Sequence, residues 1–107
     1  MVKINGKEYG FFMNAWAMCE INDWIIAHGQ GRSAESAMVQ KAVIMNKAYT
    51  DVHGGEKLTT KEVLALPAWE FGILCDEISK QEAIDCRRTV EDEPVEEDEG
   101  KNAGSPE

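Results

Sequence analysis

The chain has 107 residues, with 20 acidic side chains against 11 basic ones and a formal net charge of −9. That length allows one small domain, and the charge disfavours nucleic acid and anionic membrane surfaces, where affinity rests on Lys and Arg neutralising phosphates. No run of about 18 apolar residues occurs, which argues against a transmembrane helix, and Met1 leads into Val2-Lys3-Ile4 without the pattern of a secretory signal, so the expected location is the cytoplasm.

In chain order, Val2-Lys3-Ile4 and Glu8-Tyr9-Gly10-Phe11 flank Asn5-Gly6-Lys7. Asn-Gly tolerates the positive φ angles of a type I′ turn, so a short N-terminal hairpin is predicted. Two strands are marginal alone, and Val2, Ile4 and Phe11 are expected to pack against helices.

Asn14 is placed to cap a helix over 15–28, stopped by Gly29. Ala17, Ile21, Trp24 and Ile25 recur at helical spacing, with His28 next on the stripe, while Glu20 and Asp23 fall on other faces. Gly29 to Arg32 form a connector. Ser33 then caps a second helix over 34–49, whose apolar set (Ala34, Ala37, Met38, Ala42, Met45 and Tyr49, widened by Val39, Val43 and Ile44) is too broad for one contact. This helix is either central to a bundle or partly reserved for a partner.

Residues 50–58 are read as a loop. Thr59 and Glu62 make a capping box for a short helix ending near Leu66, since Pro67 disfavours helical geometry in the residue before it. Pro67 suits the first position of a last helix, running to about Cys86 or Arg87. Phe71, Leu74, Ile78 and Ala83 are expected inward, and Glu70, Glu77, Lys80 and Gln81 outward. Arg87 and Arg88 complement the helix dipole.

Residues 89–107 hold eight of the acidic residues and one of the basic ones, leaving a tail near −7 and a body near −2. With Val90 and Val95 as its only large hydrophobes, this segment is expected to be a disordered acidic tail. Two readings of its acidic runs stay open: a solubilising tail, or a competitor that occupies a basic surface until a partner arrives. Calcium binding fails for want of EF-hand spacing. The fold expectation is therefore mainly α: a helical domain over 1–88 with an N-terminal β-hairpin and a bundle of three to four helices, then the tail over 89–107.

Catalytic chemistry has little to stand on. Cys19, Cys75 and Cys86 lack metal or redox spacing, and Cys19 and Cys75 are expected as small core hydrophobes. His28 is read as capping a helix end and His53 as a solvated loop residue. His53-Gly54-Gly55 lacks the Gly-Lys-Ser/Thr ending and preceding strand of a phosphate loop. No enzyme activity, metal or cofactor is predicted. The surplus of Trp and Met instead marks Trp16, Trp24, Met38, Met45 and Trp69 as candidate partner contacts.

The opening Lys3-Ile4-Asn5-Gly6-Lys7-Glu8-Tyr9, followed by Phe12-Met13-Asn14-Ala15-Trp16-Ala17-Met18-Cys19-Glu20-Ile21, small helices and an acidic tail, resembles the tail assembly chaperones of long-tailed bacteriophages and prophages. The likeness covers residues 1–86 in layout and is sharpest over 2–25. The resemblance implies a mainly helical protein of the host cell cytoplasm that keeps the tape measure protein soluble and helps recruit major tail tube subunits. It leaves homo-oligomerisation open. The competing expectation is an acidic mimic of nucleic acid that inhibits a host DNA-binding enzyme, a role that needs ordered acidic residues on a folded surface.

Overall fold

The computed structural model describes residues 1–87; the expected tail over 89–107 lies outside them, as does Arg88. Strands β1 (Val2–Ile4) and β2 (Lys7–Tyr9) pair antiparallel, with Val2 opposite Tyr9 and Ile4 opposite Lys7. Asn5 (φ 52°) and Gly6 (φ 81°) form the two-residue turn, which is the positive-φ pair that a type I′ connection requires. Alternation along each strand puts Val2, Ile4 and Tyr9 on one face, and all three are buried.

Four helices follow: α1 (Ala15–His28), α2 (Ala34–His53), α3 (Thr60–Leu64) and α4 (Ala68–Cys86). Asn14, Ser33 and Thr59 cap the first three, each side chain accepting the backbone N–H three residues on. Glu62 accepts the Thr59 N–H at 2.9 Å and completes the capping box.

Helix α2 outruns its expected end at Tyr49 by a turn, because Thr50 to His53 contain no breaker. Lys47 pairs with Asp51 at 3.2 Å, and the Tyr49 and His53 rings lie 4.7 Å apart, both at i,i+4 spacing. Gly54, at φ 76°, ends the helix, so the loop begins there and His53 is helical. Pro67 is the N-cap of α4 instead of its first helical residue, with ψ at 150°.

Helices α1, α3 and α4 each pack on α2. That central position accounts for its broad apolar set: Val39, Ala42, Met45 and Ala48 are buried, and the core closes with Ala17, Val63, Leu74, Ile78 and the hairpin residues. Burying side chains such as Leu74 and Ile78 contributes about 1.5 to 3 kcal/mol each.

Several placements differ from expectation. Cys19 is exposed and Cys75 half-buried. Helix α1 meets α2 along a narrow line through Ala17, which leaves Ile25 on its flank 44% exposed. Along α4, Ala83 is exposed, whereas Glu70, Glu77 and Gln81 are half-buried.

Asn46 is the buried polar side chain that joins these elements. Its amide donates to the Gly10 carbonyl at 2.9 Å and the Glu56 carbonyl at 3.2 Å, and its carbonyl accepts the Leu58 N–H at 2.7 Å. The hairpin exit, α2 and the loop before α3 are thereby fixed to one another, with the buried polar groups paired. Gly10 is required beside them, because a Cβ there would strike the Tyr49 ring.

Candidate partner-binding site

Among the described residues, no three His, Cys, Asp or Glu side chains come together as a metal site, and no helix is long and apolar enough to cross a membrane. The exposed His28 stacks obliquely near Trp24, with centroids 5.8 Å apart, and its carbonyl accepts Arg32 Nε at 2.9 Å. His53 lies against Tyr49. Among the described residues, neither imidazole forms an ion pair with a carboxylate.

A largely apolar groove of about 290 Å³ lies between the first half of α2, α3 and the start of α4. Val39, Val63, Leu64, Leu66, Ala68 and Phe71 line it. An adjoining recess of about 140 Å³ shares Val39 and Leu64 and extends to Trp24 and Arg32. Together they form an apolar channel from the end of α1 to the start of α4.

Local sequence builds this channel. Helix α3 has five residues, and the adjacent Val63 and Leu64 project about 100° apart around it. Val63 is 2% exposed and Leu64 68%. Pro67 then redirects the chain so that half-buried Phe71 comes beside half-buried Leu66. The ends are polar: Glu35 and Ser36 border one part, and the Arg32 guanidinium lies 5.8 Å over the Trp24 ring at the other, an arrangement that favours a cation on the aromatic face.

The five expected contact residues are dispersed. Trp24 lines the channel. Trp69, 68% exposed, borders a separate recess with Val2, Ile4 and Ile73 beside the hairpin. Trp16 is partly exposed, with the Lys47 ammonium 5.5 Å over its ring. Met38 is half-buried against the core. Met45 is fully buried, which corrects its assignment as a contact: on the central helix that face is consumed by the core itself. Leu64, Leu66 and Phe71 were not anticipated; the signal for them is Leu64-Ala65-Leu66 crowded between a capping box and Pro67.

Behind α3, the Glu62 carboxyl is held below its usual range by the Thr59 backbone N–H. Tyr9 faces it at 3.5 Å, its hydroxyl pushed up by burial and then by the Glu62 and Glu56 charges.

Compared with protein-family models, with curated proteins and with solved structures, the chain matches none.

Proposed function

We propose that the chain is a tail assembly chaperone of a long-tailed bacteriophage, holding apolar helical segments of the tape measure protein in the cytoplasm and helping to recruit tail tube subunits. The reading is supported by the resemblance over residues 2–25 and, above all, by the apolar channel of Trp24, Val39, Leu64 and Phe71. A tape measure protein is long and helical and exposes apolar faces until its tube forms. One such face, with side chains at i, i+3 and i+7, suits a groove bounded by helices.

The mechanism is passive. Contact with Leu64, Leu66 and Phe71 removes the client's apolar surface from water at roughly 25 cal/mol per Å². Neither a cofactor nor a chemical step is needed. The small area of the channel makes each contact weak, so release as tube subunits assemble needs no input of energy.

Co-expression with a phage tape measure protein tests this. The expected outcome is a soluble complex that co-purifies, with Leu64→Glu reducing recovery about tenfold or more because it places a charge in the channel. A client that stays insoluble with the intact chain, or is equally soluble without it, overturns the proposal.

A further inference from the structure

Helix α1 carries a second apolar surface, directed away from the channel. At 3.6 residues per turn, Ile21, Ile25, Met18, Asn22, Ile26 and Cys19 span an uncharged arc of roughly 160°. Ile26 is 81% exposed, Met18 48% and Ile25 44%. The inner arc of the same helix, through Ala17 and Trp24, faces α2 and the channel. A helix apolar on both sides is one that is covered on both sides, yet α1 packs on α2 and on no other element to a comparable extent.

The borders of this arc are unlike each other. Along one border Met13, Met18, Ile21 and Ile25 line a shallow groove of about 210 Å³ that ends on Lys41 and Glu82. Those two side chains form an ion pair across α2 and α4, so that border is neutral. On the other border stands Asp23, one turn from both Cys19 and Ile26, with Glu20 behind it. Helix α1 contains neither Lys nor Arg, and among the described residues neither Asp23 nor Glu20 forms an ion pair. Trp16 lies between them with the Lys47 ammonium 5.5 Å over its ring. Because Lys47 is itself paired with Asp51, the surface is an apolar strip with one edge that keeps an acidic excess.

We infer that the outer face of α1 docks a partner helix of stated chemistry: an apolar stripe flanked by Lys or Arg on the side that meets Asp23 and Glu20. Charge complementarity selects this occupant. A second copy of the chain fits less well, because a twofold antiparallel pairing of α1 sets the same edge against itself and brings four carboxylates together. The inference is independent of the chaperone reading, since the channel lies on the other side of α1 and uses different residues.

The test uses the full chain and two labelled synthetic helical peptides of about 20 residues, identical in their Leu seam, one flanked by Lys and the other by Glu. Fluorescence anisotropy is expected to show the Lys-flanked peptide binding at least about tenfold tighter, an advantage that shrinks as salt is raised. Met18→Lys with Ile26→Lys, both at exposed positions, is expected to weaken it about tenfold with circular dichroism unchanged. Glu20→Lys with Asp23→Lys is expected to reverse the preference between the two peptides. Leu64→Glu, in the channel, is expected to lower the binding of both peptides alike and to leave the preference for Lys flanks unchanged. Equal binding of both peptides, indifference to the α1 substitutions, or loss of that preference on Leu64→Glu overturns the inference. So does sedimentation of the chain alone as a dimer that Ile26→Lys dissolves, which would assign the face to a second copy.

Discussion

The backbone N–H of Met13, just before α1, donates to Oδ2 of Asp85, near the end of α4, at 2.8 Å. Gln81 Nε2 donates to both oxygens of the same carboxylate, at 3.0 and 3.1 Å, and so holds it in place. Hydrogen bonds to a charged acceptor are the stronger kind. Asp85→Ala is expected to lower the unfolding free energy by about 2 kcal/mol, and Asp85→Asn, which keeps an acceptor oxygen, by less. Urea denaturation of the three proteins measures the difference; equal midpoints would deny the contact any structural weight.

Asn46 concerns three backbone groups at once. Asn46→Leu keeps the volume close but leaves the Gly10 and Glu56 carbonyls and the Leu58 N–H unpaired. The expected loss is about 3 kcal/mol or more, since each buried orphan costs roughly 1 to 3. Amide hydrogen exchange in the hairpin and in residues 54–58 should accelerate together, because one side chain ties both down.

Gly10→Ala sets a methyl group against the Tyr49 ring, an overpacking worth about 1 to 3 kcal/mol. Combining it with Tyr49→Leu should recover part of the thermal midpoint lost by Gly10→Ala alone. Additive losses would mean that the ring is not what excludes the side chain.

Stability should depend on pH at both extremes. Glu62 titrates below its ordinary value of 4.5, chiefly through the Thr59 N–H. Its contribution is therefore whole above pH 4.5 and is lost as the pH falls through the lowered folded value. Tyr9 behaves in the opposite sense: burial raises it above 10.0, so its stabilisation is whole below pH 10 and is lost as the pH climbs through the raised folded value. Glu62→Gln should flatten the acid limb of urea midpoint against pH, and Tyr9→Phe the alkaline limb. Unchanged limbs would show that other groups govern them.

Removing residues 89–107 separates the chaperone proposal from the competing expectation of an acidic mimic. The chaperone proposal expects the chain ending at Arg88 to keep its thermal midpoint within about 2 °C and to retain client binding. An acidic mimic of nucleic acid would lose its binding with that cut.

The sequence by itself determined the features that depend on neighbours within four residues. The Asn5-Gly6 turn, the Asn14 and Ser33 caps and the Thr59–Glu62 box were legible because each is a local hydrogen bond or dihedral preference, and the starts of α1, α2 and α3 follow from them. Only the tertiary structure decided which apolar side chains were left over. Spacing alone gave Met45 and Trp24 equal standing as contacts, yet α2 became central and enclosed Met45, while α3 turned Val63 inward and left the adjacent Leu64 to form the channel. Asn46 and Asp85 carry no signature in sequence either, since the backbone groups they hold lie 10 to 72 positions away. A local pattern says that a face is apolar, whereas the packing of one helix on another determines how much of that face remains for a partner.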